Sequence, residues 1–282
     1  MGRVDLHVHS TASDGEHAPE DVARRAAASG LTTFALTDPD TPDGVTAARA
    51  AAPDGLTVIA GCEFSASAPW GELHLLAYFL PVDSDPLQAF LVSQRGRRGE
   101  RMQQIVDRLA GLGVALGLDD VQREAGGGAL GRPHAARALV RRGAVGTAQE
   151  AFDRFLGRGR GAFVPKVLPE VLDVTALVAG LGGVTSAAHL GGLGTDAHVR
   201  WLHAAGVTAL EVVHPSHDDD TRRRLRQLAD RLGMPVTGGS DWHGASQELG
   251  PRRAPLGGLD VPMAWLERLE RARPAGTEDL TA

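Results

Sequence analysis

The chain opens with Val4-Asp5-Leu6-His7-Val8-His9, a short apolar run that ends in two histidines. The run predicts a strand over residues 4–8. Because successive side chains of a strand point to opposite faces, His7 and His9 share one face. Two imidazoles that face one pocket are suitable ligands for Zn, Mn or Fe. A pair of half-exposed strand histidines has the same spacing, so the rest of the chain must distinguish the two interpretations.

Apolar runs alternate with helical patterns along most of the chain. Further strands are predicted over residues 32–37, 56–62, 73–79, 184–188, 208–213 and 235–238, and helices over 19–29, 45–52, 197–205 and 218–232. Repeated alternation with short connections predicts a parallel sheet or barrel. The section between residues 93 and 165 departs from this rhythm and is predicted to be mostly helical. We therefore expect a barrel formed by residues 1–92 and 166–282, and a helical insertion, residues 93–165, that covers the mouth of the active site.

Several further side chains with metal-binding atoms follow the predicted strands. Glu63, His189 and Asp241 each lie where a predicted strand ends, and Asp241 and His243 repeat the i, i+2 spacing. In barrels of alternating strands and helices, the active site forms at the carboxyl ends of the strands. Residues that are distant in sequence are therefore expected to converge there. Together with the two histidines of the first strand they predict a metal-dependent hydrolase.

Composition and charge limit the classes of function. A net charge of −6 at pH 7 counts against a broad basic face for long nucleic acid, and an aromatic content of 4% counts against a base-stacking surface. The single cysteine, Cys62, can form no disulfide within the chain, and it is expected in the core. Neither a secretory signal nor an apolar run of about 18 residues is visible. We therefore expect a cytoplasmic protein without membrane contact.

Four segments resemble motifs of the PHP (polymerase and histidinol phosphatase) family. They are Asp5-Leu6-His7-Val8-His9-Ser10-Thr11-Ala12-Ser13-Asp14-Gly15, Gly61-Cys62-Glu63, Gly131-Arg132-Pro133-His134 and Gly239-Ser240-Asp241-Trp242-His243. The resemblance runs over nearly the whole chain. It is closest to stand-alone bacterial phosphoesterases, which include nucleoside 3′,5′-bisphosphate phosphatases and 5′-to-3′ exoribonucleases. It implies an α/β fold, a distorted (β/α)7 TIM-like barrel, with two or three divalent metal ions as cofactors.

The resemblance also implies which residues bind the metals, which would be Mn, Zn or Fe. One metal would be bound by His7, His9, Glu63 and Asp241. Glu63 would bridge to a second metal, which His74 and His134 would also bind. Asp14 and His243 would belong to a third metal site.

One family ligand is replaced in this chain. The family usually has Thr-Asp-His-Asp after the second strand, whereas this chain has Thr37-Asp38-Pro39-Asp40. Proline offers no side-chain donor to a metal. Three outcomes are open: Asp38 or Asp40 substitutes, water takes the position, or the third metal binds weakly or not at all. The first two would favour a harder ion such as Mn or Mg over Zn.

Phosphate recognition is expected from a second set of residues. Pro133 suits the first position of a helix, whose N-terminus favours anions, and Arg132 can bind two phosphate oxygens at once. His189 resembles a family element at the pocket and could contact substrate or a metal, with a core histidine as the alternative. Weaker candidates for substrate contact are Lys166 and, in the segment 213–217, His214 and His217.

The sequence thus predicts a metal-dependent phosphatase that acts on phosphomonoesters. The expected substrates are nucleoside 3′,5′-bisphosphates or short 5′-phosphorylated oligonucleotides, including short single-stranded RNA, and no obligatory protein partner is inferred. Asp14, His243 or a water on the third metal could protonate the leaving group, and the metals, Arg132 and His189 would neutralise phosphoryl charge. Two alternatives stay open: a histidinol phosphate phosphatase, and a metal-binding PHP module whose catalysis weakened when Pro39 replaced the histidine.

Overall fold

A computed structural model of the protein describes residues 2–126, 130–244 and 254–274. The chain divides into two compact units, residues 1–88 with 168–282 and residues 89–167. We call the first the barrel unit and the second the helical unit. The expectation that the helical unit covers the mouth of the active site stays a prediction.

The barrel unit is built on one seven-stranded sheet. Its strands are β1 (Val4–Val8), β2 (Thr33–Leu36), β3 (Thr57–Ala68), β4 (Gly71–Tyr78), β5 (Val184–Ala187), β6 (Ala209–Val213) and β7 (Val236–Gly238). They pair in chain order, and all neighbours are parallel except that β4 is antiparallel to β3 and β5. A bridge between Val8 and Trp242 joins the two edges, where His9 N donates to Trp242 O at 2.9 Å. The sheet is therefore a nearly closed barrel.

Helices connect most of the strands. In chain order they are α1 (Pro19–Ala28), α2 (Val45–Ala51), α3 (Asp85–Gly111), α4 (Leu118–Ala125), α5 (Arg132–Arg141), α6 (Ala148–Ala151), α7 (Val171–Gly180), α8 (Asp196–Ala204), α9 (Asp219–Leu232) and α10 (Met263–Arg271). A π-helix follows α6 over Phe152–Leu156, and a 3-10 helix spans Gly191–Leu193. Helix α7 was not predicted, although Val171, Val174 and Val178 repeat at helical spacing and are buried.

The third strand differs from the prediction in length, and the fourth strand differs in direction. We expected a strand that ends at Glu63, but β3 continues to Ala68 because residues 61–68 form a hairpin with β4. The antiparallel direction of β4 places its first half beside the second half of β3, so that His74 pairs with Ser65. His74, near the start of β4, therefore lies close to candidate ligands near the carboxyl ends of the parallel strands.

Apolar side chains hold each unit together. In the barrel unit, one cluster joins β1, β3 and β4 to α10 through Leu6, Ile59, Tyr78 and Leu269. The helical unit has a core of its own, formed mainly by α3, α4 and α5; its largest members include Met102, Ile105, Leu109, Val121 and Leu139.

None of the helices that the structure describes has the length and apolar character that a membrane crossing needs.

Candidate metal centre

The first and last strands approach each other closely where they meet. A Cβ atom at Gly239, just after β7, would overlap with backbone N of His7 and lie 2.8 Å from its Cα. The contact therefore requires glycine. Asp5 is 1% exposed, and its carboxylate accepts the N–H groups of His7 at 3.3 Å and Ser240 at 2.9 Å. These contacts fix His7 beside the turn that leads to Asp241.

The four residues expected at the first metal lie together. His7, His9 and Glu63 offer ligand atoms that all lie within 4.8 Å of one another. Asp241 Oδ1 lies 3.3 Å from His7 Nε2 and 3.0 Å from His9 Nε2. Asp241 has a φ of 51°, a left-handed conformation that costs free energy in a residue other than glycine. The fold therefore holds Asp241 in a strained backbone conformation at the point where its carboxylate faces His7 and His9.

Glu63 also belongs to a second group, with His74 and His189. Its Oε1 lies 2.7 Å from His74 Nδ1 and 3.2 Å from His189 Nε2. Burial alone would raise the pKa of Glu63, but hydrogen bonds from His189 and His74 and the nearby charge of His7 hold it well below its usual value. The carboxylate is therefore ionised, and its two oxygens are shared between the two groups.

A third group lies around His9 and His243, whose rings stack with centroids 4.1 Å apart. His243 Nδ1 donates to the carbonyl of Asp241 at 2.8 Å, which leaves Nε2 facing Asp14 Oδ1 at 3.5 Å. His9 Nδ1 lies 3.8 Å from the same oxygen of Asp14. His9, Asp241 and His243 also form one of the groups that could hold an ion.

Two buried nitrogen atoms test whether this site fits metal ions. Among the described residues, His7 Nε2 and His9 Nδ1 have no hydrogen-bond partner although both are buried. Buried polar atoms are normally satisfied, so the two nitrogens are suited to coordinate a cation. Imidazole nitrogens and carboxylate oxygens are the donors that Zn, Mn and Fe take in proteins. The residues present fit divalent metals.

The segment that contains Pro39 bears on the third metal. Asp38 is 1% exposed, and its carboxylate accepts hydrogen bonds from Ser10 N and Ser10 Oγ, both at 2.7 Å, and from Ser13 Oγ. Asp38 thus organises the loop that carries Asp14. Asp38 and Asp40 are the two carboxylates that could have replaced the histidine as a metal ligand. The carboxylate of Asp38 already accepts hydrogen bonds from Ser10 and Ser13.

Two residues of the centre belong to β6 and the loop after it. Glu211, which we did not predict, is fully buried; it accepts a hydrogen bond from His7 Nδ1 at 2.9 Å and one from the His189 N–H at 2.7 Å. Burial alone would raise the pKa of Glu211, but the charges of His7 and His214 bring it to about 2. His214 accepts the N–H of Ser216 at Nδ1, and its Nε2 faces Asp241 Oδ2 at 3.4 Å. Because Nδ1 accepts, Nε2 is the nitrogen that donates toward Asp241 and orients that carboxylate.

His217, expected as a substrate contact, uses both ring nitrogens for the backbone. Nδ1 donates to the carbonyl of Val212 at 3.0 Å, and Nε2 accepts the N–H of Gly191 at 3.1 Å. The residue is only 2% exposed. As placed, His217 holds the loop after His189 and presents no ring nitrogen to a substrate.

Three predicted site residues lie in the helical unit. Arg132 has its guanidinium 5.7 Å from the centre of the Phe152 ring and 5.3 Å from that of Phe163, and it donates to Leu156 O at 3.1 Å. His134 Nδ1 accepts the N–H of Gly131 at 3.0 Å at the start of α5. The third residue, Lys166, is exposed. The contacts of Arg132 restrict its orientation and leave further N–H groups for an anion.

Comparison with known proteins identifies relatives of the whole chain. Residues 5–95 match the PHP domain. The 3′,5′-nucleoside bisphosphate phosphatase of Chromobacterium violaceum is 34% identical over 86% of this chain and 88% of its own length. The 5′-3′ exoribonuclease Rnm of Escherichia coli is 32% identical over 85% of this chain and 84% of its own length.

A solved structure gives the same result for the fold. It is the structure of a Bifidobacterium adolescentis protein assigned to the metal-dependent phosphoesterases. The two sequences are 29% identical, the TM-score is 0.82, and the match covers 99% of this chain and 98% of that one. The predicted barrel class and enzyme class are confirmed. With candidate metal groups around Glu63 and relatives along most of its length, the chain belongs to the PHP family of metal-dependent phosphoesterases.

Proposed function

We propose that this protein hydrolyses phosphomonoesters of nucleotides in the cytoplasm, with nucleoside 3′,5′-bisphosphates or short 5′-phosphorylated oligonucleotides as substrates. The observation that carries the proposal is the position of Glu63 in two ligand groups at once, with His7 and His9 and with His74 and His189. A shared carboxylate suits two neighbouring divalent ions. Metals bound there supply Lewis acidity and lower the pKa of water toward neutrality.

The residues around the metal groups have separable roles. His243 and Asp14 are the candidates that deliver a proton to the leaving oxygen, because Asp14 is 58% exposed on its side chain and lies 3.5 Å from His243 Nε2. Burial would lower the pKa of His243, but the hydrogen bond to Asp14 raises it, so the pair can hold a proton near neutral pH. His189 stabilises charge on the phosphoryl oxygens.

The choice of nucleotides rests on the relatives, and Arg132 supports it. The Chromobacterium violaceum and Escherichia coli proteins are named for a nucleoside bisphosphate and for RNA. Arg132 lies between two phenylalanine rings and can bind a phosphate with little loss of side-chain entropy. Lys166 is a further candidate for a second phosphate. The metals are Mn, Zn or Fe, two in number, with a third whose affinity depends on the replacement at Pro39.

Release of inorganic phosphate from a panel of esters tests the proposal. The panel contains adenosine 3′,5′-bisphosphate, a 5′-phosphorylated RNA trimer and histidinol phosphate, each with Mn²⁺. We expect kcat/KM to be highest for the first two. A preference for histidinol phosphate would establish the alternative phosphatase, and no hydrolysis by a metal-loaded protein would favour a binding module.

A further inference from the structure

The charge of the chain is divided unequally between its two units. Residues 89–167 contain fourteen basic and seven acidic side chains, a net charge of +7. The rest of the chain contains fifteen basic and 28 acidic side chains, a net charge of −13. The overall charge of −6 conceals this asymmetry. A strongly basic unit within an acidic protein indicates an anionic partner for that unit.

Four arginines of α4 and of the end of α5 form an organised group within the helical unit. We call it the arginine cluster: Arg123, Arg137, Arg141 and Arg142. Asp120 binds Arg123 and, at 2.5 Å, Arg142. Glu124 lies 2.7 Å from Arg141 Nε and 3.6 Å from Arg137 Nε. Two carboxylates therefore hold four guanidinium groups, and the cluster keeps a net charge of +2.

Burial shows which charges face outward. The side chains of Asp120 and Glu124 are 9% and 7% exposed, whereas those of the four arginines are between 50% and 71% exposed. Each guanidinium has five N–H donors, and these ion pairs use only a few of them. Arg123, Arg141 and Arg142 also line a cavity of about 240 Å³, which has room for a phosphodiester group; its other lining residues are Asp120, Glu124 and Ala138. The carboxylates thus lie beneath the arginines and restrict their orientation.

We propose that the arginine cluster binds the sugar–phosphate backbone of a single-stranded oligonucleotide. The proposal deepens the proposed function, on which it rests for the choice of a nucleic acid over other polyanions. Phosphate oxygens take two N–H groups of one guanidinium at once, and a chain of phosphates can engage several guanidiniums. A mononucleotide carries few phosphates and engages fewer guanidiniums than a chain does. The cluster therefore favours oligonucleotides over single nucleotides.

The test uses the double variant R123Q/R141Q. It leaves each carboxylate one arginine, Arg142 for Asp120 and Arg137 for Glu124, so no buried charge loses every partner. The matched control is R24Q/R223Q, which removes two exposed arginines of the barrel unit that pair with exposed aspartates. Fluorescence anisotropy of a labelled phosphorothioate RNA decamer, which resists hydrolysis, measures binding to the Mn²⁺-loaded proteins from 50 to 200 mM salt.

We expect R123Q/R141Q to weaken decamer binding roughly five- to tenfold at 100 mM salt, because two exposed guanidinium–phosphate contacts are lost. The slope of log K against log salt should fall by about 1.4, since each phosphate contact on a single strand contributes about 0.7. The control variant should match the wild type. Hydrolysis of adenosine 3′,5′-bisphosphate should be unchanged in both variants.

Equal decamer binding by wild type and R123Q/R141Q, or an equal loss in the control, would overturn the proposal. So would binding to anionic phosphatidylserine vesicles in the absence of decamer binding. If R123Q/R141Q unfolds at a lower temperature than the wild type, the single variant R141Q, in which only one ion pair is lost, decides by the same criteria. Because the decamer assay needs no turnover, it separates the two proposals. A wild type that binds the decamer more tightly than R123Q/R141Q but hydrolyses neither the bisphosphate nor the RNA trimer would contradict the proposed function and support the cluster.

Discussion

Glu211 Oε1 lies 2.9 Å from Nδ1 of His7, while its other oxygen accepts the N–H of His189. The carboxylate accepts, so Nδ1 of His7 donates, and Nε2, beside Glu63 and Asp241, is the nitrogen left to coordinate a metal. Partners of this kind fix the tautomer and orientation of metal-binding histidines. Glu211 therefore fixes the ring orientation of His7, a ligand of the first group. It also positions the loop that carries His189, a ligand of the second group.

Replacing Glu211 by glutamine should weaken metal binding. Two N–H groups point at the carboxylate, and an amide can accept only one of them while its NH₂ faces the other. We expect metal affinity to fall roughly 10- to 100-fold, measured by competition with a chromophoric chelator. E267Q, at an exposed position of α10, is the control and should not change affinity. Unaltered affinity in E211Q would show that Glu211 has no part in ligand positioning.

Substitution of Gly239 by alanine should damage the centre through the backbone. The new Cβ would collide with the backbone of His7, which cannot move as a side chain can. Overpacking of this kind costs about 1–3 kcal/mol, and it should also displace a ligand. Thermal unfolding and metal content measure the two effects. G99A is the control, because a Cβ there meets nothing within 4 Å; equal behaviour of the two variants would refute the prediction.

The variant P39H should increase the metal content. The backbone of Pro39 pairs with that of Glu63, and the N–H of Asp40 donates to Glu63 O at 2.9 Å, so the position lies beside the centre. A histidine there would add a nitrogen ligand where Asp38 is engaged by serines. We expect about one additional metal per chain by elemental analysis, compared with P53H in an exposed loop. If P39H binds no more metal than the wild type, the third site does not depend on this residue.

Without metal, stability should fall with pH because of His74. Burial would lower its pKa, but hydrogen bonds to Glu63 and Glu72 raise it from 6.5 to about 9. A pKa raised on folding contributes stability that is fully present below the unfolded value and is lost as pH rises through the folded value. The unfolding temperature in EDTA should therefore decline between pH 6.5 and 9, and less so in H74Q. Identical pH profiles for the two proteins would contradict this.

Local spacing was sufficient to predict part of the centre. His7 and His9 alternate on the first strand, and Asp241 and His243 repeat the spacing after β7, so their convergence needs only the rule that strand ends meet at one rim. The same alternation placed Cys62 opposite Glu63, and it is indeed fully buried. The extent of β3 was not predicted, because a hairpin with β4 depends on pairing between segments that alternation alone does not reveal.

The role of Glu211 could not be assigned from spacing, because its partners lie on other strands. A signal was present, since Glu211 interrupts the apolar run 209–213 and a buried carboxylate requires a partner. The sequence does not say which partner. Asp38 is similar: its acidic type suggested a metal ligand, and only the geometry of Ser10 and Ser13 reveals that it organises a loop.

Parallel measurement of metal content and phosphate release in the wild type and the variant E63Q tests the central claim most directly. Glu63 is shared by two ligand groups, so a neutral amide there should weaken both. We expect the wild type to bind about two or more divalent ions per chain and to release phosphate from adenosine 3′,5′-bisphosphate, and E63Q to lose metal and activity together. An E63Q protein that keeps its metals and its rate would contradict the account.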